Sequence, residues 1–114
     1  MSDKQTRQVN LNIPKSEKKL LDNFLVNLKN KFGSKIEEVI LFGSKARGDW
    51  HKDSDIDLLV LTRDQNKSLE NKISDLAYDI ELENNFPALL SILVWSRKRF
   101  KSFNKPETSF VYNL

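Results

Sequence analysis

Cysteine is absent from this 114-residue chain, which excludes disulfides, thiolate metal sites and a cysteine nucleophile and permits a reducing compartment. Glycine and proline number only three each, and no repeat or low-complexity tract is visible, so collagenous, solenoid and disordered classes are excluded. No apolar run approaches the ~18 residues that span a bilayer. The opening MSDKQTRQVN has no apolar stretch of the signal-peptide kind. A soluble, cytoplasmic protein without a membrane partner is the expectation.

What is present, 39% apolar and 31% charged residues, suits one globular domain over 1–114, with 1–13 as a flexible N-terminal segment. A chain of this size buries roughly two thirds of the surface its unfolded form exposes. The net charge of +3 is unevenly spread. Six lysines fall between Lys15 and Lys35, and RKRFKSFNK (97–105) carries five cations and no acid. Such stretches are solvated surface, or they meet an anion such as a nucleotide or RNA.

Apolar residues at Leu20, Leu21, Phe24, Leu25, Leu28 and Phe32 recur at three and four positions. That spacing predicts a helix over 17–32, with Ser16 as N-cap and Gly33 as C-cap. IEEVILF (36–42) and DIDLLVLT (55–62) read as strands, and 66–83 returns to helical spacing, ending near Asn84 and Asn85. ALLSILVW (88–95) reads as a third, mostly buried strand; the tail after it holds a short helix or no regular structure. The order α-β-β-α-β is an α/β domain: a small mixed sheet with helices packed on one side.

Asp55 and Asp57 stand one residue apart at the head of the second strand. Strand side chains alternate, so the two carboxylates share one face while Ile56, Leu58 and Val60 line the other. Like charges so placed repel each other, and aspartate is a poor strand former, so the pair asks for a hard divalent cation. Alone, D-x-D also describes an acidic strand end. Here Gly43 and Ser44 end the preceding strand, and a turn through KAR would leave backbone N–H groups free for a phosphate. Gly43 and Gly48 have G-x-x-x-x-G spacing, but Asp49 and Trp50 stand where a P-loop needs Lys and Ser or Thr, so that motif is rejected. A phosphate-cradling turn, ten residues, and then a carboxylate pair fit metal-assisted nucleotidyl transfer.

The pattern Gly43-Ser44, ten residues, Asp55-Ile56-Asp57, inside GSKARG and SDIDLLV, resembles the minimal nucleotidyltransferases of the DNA polymerase β superfamily over about residues 16–103. The resemblance implies that family's fold, with Asp55 and Asp57 as catalytic metal ligands for Mg2+ or Mn2+. It implies that Gly43 and Ser44 hold the β- and γ-phosphates of a nucleoside triphosphate, ATP above others. Arg47 and Ser54 also match motif positions; Arg47 alternatively packs the turn or pairs with Asp49 or Asp53. It further implies a third carboxylate on the next strand, yet 88–95 has no acid and Ser91 sits about where one is expected. Glu81 and Glu83 fall at the end of the preceding helix, where solvation is the expected role. Members of this family often pair with a small helical HEPN-type toxin and adenylylate its tyrosine.

His51, the only histidine, and Trp50 lie in the loop before Asp55, where one could reach a leaving phosphate and the other stack on a base; both also read as surface. Trp95, Phe100, Phe103 and Phe110 read as packing. Ser44 has no histidine base or G-x-S-x-G elbow to make it a hydrolytic nucleophile. Two readings follow: an AMP-transferring enzyme, or a nucleotide-binding antitoxin that caps a partner and transfers weakly. Presentation to RNA is the weaker third, and homo-oligomerisation is left open.

Overall fold

The computed structural model describes residues 11–102 and 108–114; Phe103, the end of the basic run 97–105 and residues 1–10 lie outside that range. Helix α1 (Lys15–Phe32) starts at Pro14 rather than with a Ser16 side-chain cap, because the Pro14 carbonyl itself takes the Glu17 and Lys18 amides. It ends at Gly33, which has φ 54. After a single 3₁₀ turn come β1 (Ile36–Phe42), the one-turn helix α2 (Ser44–Arg47), β2 (Ile56–Thr62), α3 (Lys67–Glu83), β3 (Leu90–Ser96), α4 (Arg97–Phe100) and β4 (Phe110–Asn113). The Asn66 side chain caps α3 by accepting from Leu69 N–H at 3.0 Å.

The sheet runs β3-β2-β1-β4. β1 pairs antiparallel with β2 and with β4, while β2 and β3 are parallel, joined through α3. Strand β4 had no place in the α-β-β-α-β order. Its four residues are too short for a periodic signal, and pairing with β1 is what makes them extended.

Leu58 and Val60 of β2 join one core cluster with Leu20, Phe24 and Leu28 of α1 and Ile73 and Ile80 of α3, so both long helices cover the same sheet face. Burying one leucine-sized side chain there contributes about 1.5–3 kcal/mol. Leu59 and Leu61 alternate onto the other face and are also fully buried. Leu11 is buried and the Asn12 carbonyl accepts from Trp50, so residues 11–13, expected in the flexible segment, are packed. Among the described residues no helix is long and apolar enough to cross a membrane.

Candidate active site

The β1–β2 register sets Phe42 opposite Asp57, so Gly43, the residue after β1, stands beside the Asp57 carboxylate. A Cβ on Gly43 would overlap Asp57 Oδ2. The glycine also has φ 77 and ψ −161, a conformation essentially closed to other residues. Two demands therefore meet at one position: an unusual backbone and a carboxylate pressed against the Cα.

From Gly43 the chain makes one helical turn. The Gly43 carbonyl accepts from Ala46 at 3.1 Å and Arg47 at 3.0 Å, and Gly48, at φ 88, returns its N–H to the Ser44 carbonyl at 2.9 Å. The Ser44 and Lys45 amides precede the first bond and find no acceptor within the turn, the condition under which a helix start takes an anion.

Asp55 is exposed and Asp57 half-buried, and neither forms an ion pair with a lysine or arginine among the described residues. Burial, and then the charge of Asp55, push the Asp57 carboxyl above its ordinary value; the nearby Ser91 hydroxyl and the Arg47 guanidinium pull the other way. The Asp57 carboxylate, with the charge of Asp55 acting on it, offers oxygen donors that suit Mg2+, which is commonly held by one or two carboxylates plus substrate phosphates. Among the described residues no group of three or more His, Cys, Asp or Glu side chains gathers as a metal cage.

Parallel pairing places Ser91 opposite Asp57. The position expected to carry a third acid is thus inside the site, and it holds a hydroxyl. Glu81, expected to be solvated, is buried, and its Oε2 accepts from Leu90 N–H at 2.6 Å, fixing the start of β3. Arg47 is exposed and its Nε donates to Asp49 at 3.2 Å. Ser54 Oγ accepts from the His51 amide at 3.0 Å while its own N–H meets the His51 carbonyl, so it closes the loop ahead of Asp55. His51 is exposed. Trp50 donates Nε1–H to the Asn12 carbonyl at 2.9 Å, which ties the loop to the chain before α1.

A cleft of about 250 Å³ opens at Asp55, walled by Ser54, Phe86 and Leu89 among others. Larger hollows of about 370 and 460 Å³ lie near the start of α3 and along β4, away from the carboxylate pair, so chemistry rather than size locates the site. Phe86 is left-handed at φ 49, strained for a bulky residue, with its ring 5.8 Å from that of Tyr78.

Lys45 and Glu17 were not singled out by the sequence. Lys45 follows Ser44 in the phosphate turn, but its side chain points inward. It is fully buried, with Nζ 2.6 Å from Glu17 Oε1 and 4.1 Å from the Trp50 ring centre. The only local hint was Glu17 standing in the first turn of a helix otherwise rich in lysine.

Residues 21–111 match the family described as Nucleotidyltransferase domain. A Methanocaldococcus jannaschii protein named as a candidate protein adenylyltransferase is 46% identical over 46 residues, which are 40% of this chain and 46% of that one. This chain thus spans about half the length of that relative. A second protein of that organism, with the same kind of name, is 31% identical over 85 residues, 74% of this chain and 84% of its own. The fold also overlays on the crystal structure of a candidate nucleotidyltransferase from Sulfolobus solfataricus, with a TM-score of 0.58 and 19% identity over 98% of this chain and 87% of that one; at that identity the likeness speaks to fold alone.

Proposed function

The chain belongs to the nucleotidyltransferase domain family, and from that premise we propose that it transfers AMP from ATP to an acceptor hydroxyl, with Mg2+ or Mn2+ held by Asp55 and Asp57. The observation that carries this reading is the packing of the Asp57 carboxylate on Gly43 at the mouth of the α2 turn. A triphosphate whose β- and γ-phosphates rest on Gly43 and Ser44 then lies over the carboxylates. Arg47, the last residue of the turn, adds positive charge, and Ser54 keeps the loop to Asp55 closed. A bound divalent ion supplies charge neutralisation at the phosphates. The acceptor oxygen bonds to the α-phosphorus, the bond to the bridging oxygen breaks, pyrophosphate departs, and the hydroxyl proton passes to water. Ser91 offers no carboxylate to take that proton, so transfer is slow unless the acceptor brings its own base.

A protein acceptor is supported by the names of the M. jannaschii relatives. A tyrosine on a HEPN-type partner is the acceptor we favour, in a cytoplasmic toxin–antitoxin setting. Ser91 opposite Asp57 favours a second reading, a nucleotide-binding partner protein that caps its toxin without transfer.

Incubation with Mg2+, the neighbouring gene product and ATP labelled at either the α- or the γ-phosphate separates these readings. Protein-bound α-label, lost in Asp55→Asn and Asp57→Asn, supports transfer; γ-label transfer refutes it. Nucleotide binding and complex formation without label transfer select the second reading.

A further inference from the structure

A lysine that follows Gly-Ser at a phosphate turn would ordinarily be taken for a phosphate ligand. Lys45 is not placed to act as one. Its side chain is 0% exposed and its Nζ lies against Glu17, whose own side chain is 5% exposed. The contact is one of charge with charge. Neither Nζ nor Oε1 forms an aligned hydrogen bond among the described residues, and the Trp50 ring stands with its centre 4.1 Å from Nζ.

Three segments converge on this one ammonium: the phosphate turn, which carries Lys45; the first turn of α1, which carries Glu17; and the loop leading to Asp55, which carries Trp50. Trp50 is itself tied back to the chain before α1 through the Asn12 carbonyl. A buried ion pair with so few hydrogen bonds is a poor source of stability, because desolvating both charges offsets their attraction. Such a pair does impose one geometry, since among the described residues the only acid paired with Lys45 is Glu17. The α2 turn needs that constraint. A single turn has too few hydrogen bonds to hold its own conformation, and the amides that would meet phosphate are those of Ser44 and of Lys45 itself.

We infer that Lys45 and Glu17 are positioning residues, which pin the phosphate turn in its anion-binding conformation from beneath and do not touch the nucleotide. The functional consequence rests on the nucleotidyl-transfer reading; the structural part does not.

The test compares wild type, Glu17→Gln, and the double variant Glu17→Leu with Lys45→Met. Two quantities are read: amide hydrogen exchange at Ala46, Arg47 and Gly48, and calorimetric affinity for Mg2+ with a non-hydrolysable ATP analogue. The double variant removes both charges, so its melting temperature is expected to stay level or rise. Exchange at the three amides is expected to quicken at least about tenfold, and nucleotide affinity to fall at least about tenfold. A stable double variant with wild-type exchange in the turn overturns the inference. Glu17→Gln discriminates further: if Lys45 were a phosphate ligand restrained by Glu17, this change would tighten binding, and a tightening also overturns the inference. Should wild type take up no nucleotide, the transfer reading falls and the exchange data still decide the pinning.

Discussion

Replacing Gly43 by alanine tests the geometry on which the site depends. Two separate effects combine at this position. At φ 77 and ψ −161 an L-residue is strained, by about 1–3 kcal/mol. The new methyl would also occupy the place of Asp57 Oδ2, and forcing a side chain aside in a packed site costs about 1–3 kcal/mol more. For a domain of this length each kcal/mol lowers the melting temperature by roughly 4 °C. Gly43→Ala should therefore lose about 8–24 °C. The two effects separate in a double-mutant cycle with Asp57→Ala. Once the carboxylate is gone the overlap with Oδ2 is relieved and the backbone strain and a 3.3 Å contact with the residue-57 Cβ are left, so Gly43→Ala should cost about 1–3 kcal/mol less in the Asp57→Ala background. Urea melts of the four proteins at neutral pH, without metal, give the coupling directly. Equal losses in both backgrounds, within about 0.5 kcal/mol, would refute the claim that Asp57 rests on Gly43, and with it the alignment of turn and carboxylates.

Burial and Asp55 raise the Asp57 pKa above 3.8, so the folded state holds this proton more tightly than the unfolded state does. Asp57 thus weighs against the fold as pH rises from about that value through the folded pKa, and Asp57→Asn should gain on wild type across that window and then level off; a melting-temperature difference that ignores pH would contradict this. Glu81→Ala strands the Leu90 N–H, and should lower stability by about 1–3 kcal/mol, with faster exchange at the Leu90 amide; Glu81→Gln, which keeps an acceptor, should lose less. Ser91→Asp puts a third carboxylate opposite Asp57, and should lower the metal-free melting temperature while strengthening Mn2+ binding measured by calorimetry; unchanged Mn2+ affinity would mean that Ser91 does not face the metal position.

Local chemistry wrote several parts of this protein into its sequence. Spacing of three and four residues gave α1 and α3 their apolar faces, and strand alternation put Ile56, Leu58 and Val60 into the core and left Asp57 on the other face of β2, with Asp55 one residue ahead of the strand. The left-handed glycines at 33, 43 and 48 fall where a chain must turn sharply, and the glycine-serine turn and the carboxylate pair were visible as a constellation before any coordinates. The tertiary structure alone decided which partners these elements found. Nothing local sets Ser91 rather than a neighbour opposite Asp57, because strand register is settled by the packing of Leu90, Ile92 and Val94 against the helices. Strand β4 exists through pairing with β1. Glu81 turned inward because a strand amide needed an acceptor. Lys45 and Glu17, 28 positions apart in sequence, carry no periodic signal of their meeting; whether a charged side chain faces water or a buried counter-charge depends on which segments close over it, and that is fixed only when the whole chain has folded.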